Sequence, residues 1–93
     1  MNNSNVTLKP LGFVIASEFE DYLGVYIETR HMTHKYWVET PNHAMVMPTR
    51  FQAKELLRKL NLHYVAWVLE LWENDNHLVV TCDSEIDRPR WLA

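Results

Sequence analysis

Apolar and polar positions in this chain alternate in short runs, and five runs have the spacing of strands. "LGFVIAS", residues 11–17, is a brief β-branched stretch suited to a buried strand. "EFEDY" then interrupts with three acids. "YLGVYIETR", 22–30, resumes with Leu23, Val25 and Ile27 alternating against Tyr22, Gly24, Tyr26 and Glu28, the period of two of a half-buried strand. Two strands joined by about four residues predict a hairpin. Gly24 in mid-strand predicts a bulge or a close approach. "KYWVET", 35–40, is a third strand, stopped by Pro41 and Asn42.

The period then changes from two to that of a helix. Thr49 followed three residues later by Gln52 is a capping-box pair. Ala53, Leu56, Leu57 and Leu60 follow the i, i+3, i+4, i+7 rule and make one apolar stripe. Asn61 suits the left-handed position that ends a helix, with Leu62 folding back as its apolar partner. The helix is expected from about residue 50 to about residue 60.

"HYVAWVLELWE", 63–73, is too β-branched and aromatic to continue that helix. "ENDNH" supplies turn residues, and "LVVTC", 78–82, completes a second hairpin. Residues 1–6 are polar and expected to fray, and the tail from 84 to 93 has no clear period. The order β-β-β-α-β-β predicts one α+β domain of two layers, an antiparallel sheet with one helix packed on one face. So short a helix covers one face only. Yet in strand 63–73 both faces are largely apolar, with Trp67, Leu69 and Leu71 alternating against Ala66, Val68 and Trp72. Two readings follow: the loops and C-terminal tail cover the second face, or a partner does, including a second copy of the chain. Trp91, two residues from the end, must dock or await a partner.

Composition supports a packed core. The chain is 47% hydrophobic, with four Trp, four Tyr and three Phe and only two Gly. A chain of this length buries roughly 60–65% of its unfolded surface, enough to fold alone. Its lone cysteine, Cys82, cannot form an internal disulfide, which suits a reducing cytosol. No signal-like segment and no run long enough to span a membrane stand out, so a cytoplasmic location is expected.

The net charge is −3, unevenly spread. Residues 50–60 carry Arg50, Lys54, Arg58 and Lys59 against Glu55, a local +3 that leaves −6 over the rest. A duplex-coating protein would be basic over more of its surface. The basic helix face therefore offers an alternative rather than a first expectation, a small nucleic-acid-binding regulator using those four residues.

Catalytic and metal chemistry find little support. His31, His34 and His43 cluster in "RHMTHKYWVETPNH", but His-x-x-His in an extended segment points two rings to opposite faces, and zinc needs three or four converging ligands. Cys82 has no Gly-rich elbow nearby for a nucleophile, and Gly12 and Gly24 are isolated, so no phosphate loop is present. Neither an enzyme nor a cofactor or metal is expected. A recognition surface remains: the acidic turn of Glu18, Glu20 and Asp21, the aromatic pair Tyr36 and Trp37, and Trp91. Asp83, Glu85 and Asp87 add acids to the tail. Such acids can steer association with a basic partner.

The run "GFVIASEFEDYLGVYIE … YWVETPNHAMVMPTRFQAKELLRKL", residues 11–60, resembles a pattern among short phage and prophage accessory proteins. In these, an apolar strand and a tyrosine-bearing strand precede a Trp and a "TxxQAxxLL"-like helix. Tyr22, Trp37, Ala44, Phe51, Ala53 and Leu57 hold those positions. The resemblance implies a non-enzymatic protein of the anti-CRISPR or anti-defence kind, which docks onto a host protein or complex and blocks it.

Overall fold

The computed structural model describes residues 8–82 and 87–92. The expected frayed start, 1–6, and the tail acids Asp83 and Glu85 lie outside the described residues. Five strands and one helix run in the order β1 (Lys9–Ser17), β2 (Tyr22–Glu28), β3 (Thr33–Val38), α1 (Arg50–Lys59), β4 (Ala66–Asn74) and β5 (His77–Thr81), with a single 3₁₀ turn at Pro41–His43. The strands form one antiparallel sheet in the order β3-β2-β1-β4-β5. This is an α+β domain with one helix on one face of the sheet.

Local signals account for the element ends. Thr49 caps α1, its Oγ1 accepting from the Gln52 backbone N–H at 3.1 Å. Its hydroxyl also reaches the Gln52 side-chain oxygen at 3.3 Å, in place of the return bond of a full capping box. At the other end Asn61 is left-handed (φ 57°), Leu62 N–H donates to Leu57 C=O at 2.9 Å, and Asn61 N–H donates to Arg58 C=O at 3.0 Å. Those two bonds define a Schellman stop. Between β4 and β5 the pair Asn74–His77 closes around Asp75 and Asn76, both with positive φ, a two-residue turn whose twist matches its strands.

The sheet does not pair along its full length. β1 and β2 meet only at Ala16–Tyr22. Residues 45–47 fill the gap that opens beyond: Met45 N–H donates to Leu23 C=O, and Phe13 and Met47 exchange two backbone bonds of 2.9 Å. Both glycines serve this junction. Gly12 sits at a bulge with φ 140°, and a Cβ there would stand 2.5 Å from the Met47 carbonyl oxygen. Gly24 marks the bulge anticipated in β2, where a Cβ would lie 2.8 Å from a Val38 methyl.

Two apolar clusters flank the sheet. Beneath α1 lie Ile15, Leu23, Met47 and Val68 with the helix's own Ala53 and Leu60, while Leu56 and Leu57 are partly buried at the margin. On the opposite face Val14, Ala16, Leu69 and Leu71 are at most 2% exposed. They are covered from within the chain, by Ala44 after the 3₁₀ turn and by Trp91 and Leu92. Trp91 donates its indole N–H to Ser17 C=O at 2.7 Å and meets Tyr22 edge-to-face, with centroids 6.1 Å apart.

This corrects the expectation of a greasy second face awaiting another polypeptide. Of the two readings open to the pattern of strand 63–73, closure by loops and tail is the one observed. Among the described residues, Val25, Ile27 and Tyr36 of the β2–β3 hairpin remain 45–49% accessible on that side.

Candidate functional site

The exposed end of the sheet is set by two connections standing side by side. Ser17 of β1 pairs with Ala66 of β4, so the β1–β2 turn leaves the sheet where the chain from α1 enters it. In that turn Ser17 is the organiser. Its N–H donates to Asp21 C=O at 3.0 Å, its hydroxyl donates to the Asp21 carboxylate, and its oxygen accepts from Phe19 N–H at 3.0 Å. Glu20 takes a left-handed conformation, φ 62°, to complete the reversal. Phe19 is left at the tip, 80% exposed between Glu18 and Glu20.

The neighbouring connection presents a second aromatic. β4 was expected to start at His63, but the ladder begins at Ala66, because Val65 and Ala66 donate their N–H groups back to Leu62 C=O in a turn. Tyr64 and Val65 therefore stand on a loop rather than on a sheet face. Tyr64 is 87% exposed and lies against the His63 ring, with centroids 4.2 Å apart. One end of the molecule thus carries two solvent-facing aromatics and an apolar residue, edged by carboxylates.

The residues singled out from the sequence divide accordingly. Glu18 and Glu20 belong to this end and are exposed, whereas Asp21 is spent on holding the turn. Trp91 supports the same end from beneath through Ser17 and Tyr22, and is not a free contact. Burial of Tyr22, with the Glu20 charge beside it, raises its phenol above the usual range, since both disfavour the phenolate. Trp37 packs with the core under α1, while Tyr36 faces the other way on the hairpin. The structure does not unite Tyr36 and Trp37 as one patch. Phe19 and Tyr64 were missed, although a lone Phe inside a four-residue acidic turn has no buried face to enter.

The chain matches no protein-family model, no curated protein and no solved structure. The site rests on its own geometry.

The helix cations do not form one open stripe. Arg50 holds Glu70 at 2.8 Å and lies over the Phe13 ring at 5.2 Å; Arg58 holds Glu55 at 2.6 Å. Lys59 turns to the opposite side and meets Glu28 at 2.8 Å, with its Nζ 5.7 Å from the Tyr26 ring centroid. The hydrogen bond and charge of Glu28 raise the Lys59 ammonium above its usual value. Arg50, Lys54 and Arg58 line a cavity of about 240 Å³, which Lys59 does not reach.

The histidines are likewise dispersed. His34 pairs opposite Ile27 in the outer half of the hairpin and His31 lies in its turn, whereas His43 ends the 3₁₀ turn near Gly24. Among the described residues no three His, Cys, Asp or Glu side chains converge as a metal set, and no helix is long and apolar enough to cross a membrane.

Proposed function

We propose that this protein is a non-enzymatic binding module that blocks a host defence complex or host enzyme by docking on it, in the manner of a phage-type inhibitor. The contact surface is the acid-edged aromatic end of the sheet. One observation carries this: Phe19 and Tyr64, 80% and 87% exposed, stand on adjacent connections at one end, with Glu18 and Glu20 beside them. Large aromatics are the residues that most often dominate interface energetics, and scattered single apolar residues would not share one end. The carboxylates select a partner whose surface is basic around an apolar recess, and steer its approach.

Nucleic-acid binding by the helix is less well supported, because Arg50, Arg58 and Lys59 already face carboxylates of their own chain. The resemblance to short phage proteins points to the same inhibitor class, through the run 11–60 that contains Phe19, Glu18 and Glu20.

Stoichiometric co-purification from bacterial lysate tests the proposal, comparing the wild-type chain with Phe19→Ser, Tyr64→Ser and the pair. Loss of one specific partner in the double variant, with its melting temperature unchanged, is the expected result. Absence of any stoichiometric partner, or full capture by the double variant, overturns it.

A further inference from the structure

The sheet ends in two edge strands, β3 and β5, and they are not alike. β5 comes up against the 3₁₀ turn at Pro41–His43, so the chain itself approaches that edge. β3 pairs on one side only. Among the described residues nothing pairs with its outer side, and Thr33–Val38 make no backbone hydrogen bond beyond the ladder with β2. An open row of this kind is a template for another strand, which sequences commonly blunt with proline, a bulge or charge. β3 contains no proline, the bulge beside it belongs to Gly24 of β2, and its one permanent charge is Lys35.

Side chains along β3 alternate between the two faces. Lys35 and Trp37 share the helix side, whereas His34, Tyr36 and Val38 share the other, with Val25 opposite Tyr36 and Ile27 opposite His34. Val25, Ile27 and Tyr36 are each about half exposed, so an apolar strip runs out to the open edge. Two copies paired antiparallel about a two-fold axis keep like faces together, so a residue meets itself or one an even number of positions away. An axis at Lys35 would set two ammonium groups against each other. An axis at His34 or Trp37 would pair only three residues of the strand. An axis at Tyr36 pairs all of 34–38: Tyr36 meets Tyr36, Lys35 meets Trp37, and His34 meets Val38. That register joins the two apolar strips through the tyrosines and gives each ammonium an indole to lie on.

We propose that the chain forms a homodimer by adding β3 to β3 of a second copy, antiparallel, with the two-fold axis at Tyr36. A second copy is favoured over a foreign strand because the edge is complementary to itself in this one register. The acid-edged aromatic end lies beyond Tyr22 and Val38, so the two-fold points the two such ends in opposite directions and leaves both open. The dimer does not rest on the docking proposal.

Sedimentation velocity of the full chain over a concentration series measures the association. So short a strand pairing buries little surface, and dimer is expected at about 10–100 µM rather than at nanomolar concentration. Tyr36→Lys changes a half-exposed edge position, and its circular dichroism spectrum should match that of wild type. It should weaken dimerisation by about tenfold, because two ammonium groups then meet on the axis. Tyr36→Glu should behave in the same way. Mixing the two variants should restore most of the loss, since lysine then faces glutamate, a recovery specific to a residue that meets its own counterpart. Phe19→Ser combined with Tyr64→Ser should dimerise as wild type does. A wild-type chain that stays monomeric at millimolar concentration overturns the proposal. So does a dimer indifferent to Tyr36→Lys, a mixture no tighter than either variant alone, or a dimer abolished by Phe19→Ser with Tyr64→Ser. Capture of a docking partner is read in a separate measurement, so either proposal can fail alone.

Discussion

Trp91 closes the second face of the sheet, and its removal gives the sharpest measure of what the C-terminal segment does. Trp91→Ala takes away an indole packed beside Val14, Ala16, Leu69 and Leu71 and breaks the edge-to-face contact with Tyr22. Full burial would make such a truncation cost about 3–5 kcal/mol. Trp91 is only partly buried, so roughly 2 kcal/mol is the share from packing and the aromatic pair. Leaving Ser17 C=O without its 2.7 Å donor adds about 1 kcal/mol. A total near 3 kcal/mol is a large part of the ~5–15 kcal/mol that holds a small domain together. At ~4–8 °C per kcal/mol for a domain of this size, the melting temperature should fall by about 12–24 °C. Urea titration followed by circular dichroism measures the same quantity. Trp91→Phe separates the terms, keeping a ring against Tyr22 while losing the N–H, and should cost about 1 kcal/mol. If Trp91→Ala melts within about 2 °C of wild type, the tail does not seal this face and the idea of self-closure is wrong.

Three further outcomes follow from the geometry. Gly12→Ala should destabilise by about 2–4 kcal/mol in chemical denaturation, because φ of 140° is strained for any side chain and the new methyl meets backbone at Met47; a loss below about 1 kcal/mol would contradict this. Asn61→Val should cost about 1–2 kcal/mol at the left-handed helix stop, whereas Asn61→Gly should stay within about 0.5 kcal/mol; equal effects on the melting temperature would argue against the Schellman geometry. Tyr22 and Lys59 are both raised in the folded state, so their stabilising contribution is complete below the ordinary values near pH 10 and is lost as pH climbs through the folded ones. The urea midpoint should therefore decline above about pH 10, less steeply in Tyr22→Phe, and an unchanged midpoint to pH 11 would refute the linkage.

Much of the fold was legible because its signals are local. Thr49 with Gln52, the leucine stripe and Asn61 with Leu62 each act within one or two turns of chain, and the helix formed where they placed it. Short apolar, β-branched or alternating runs likewise marked the five strands, although the third lies at Thr33–Val38 rather than 35–40, and Gly24 marked its bulge. The start of β4 was misjudged because His63, Tyr64 and Val65 have strand-like side chains, while the tight bonds back to Leu62 that bend them into a turn leave no trace in hydropathy. That three-residue difference moved Tyr64 from a sheet face to an exposed loop, and with it half of the candidate docking surface. Glu18 and Glu20 were recognisable from an acidic turn. Their neighbour Tyr64 was not, since only the Ser17–Ala66 pairing brings the two connections together.

The chain's own pattern determined an antiparallel sheet with one helix, and required that both faces of the fourth strand be kept from water. It could not say what would do so on the side away from the helix. That was decided by contacts across about seventy residues, Trp91 to Ser17 and Tyr22, with Ala44 and Leu92 packed on the same side. Periodicity records which side chains avoid solvent. It carries no information about which distant segment covers them, because that depends on how the whole backbone closes.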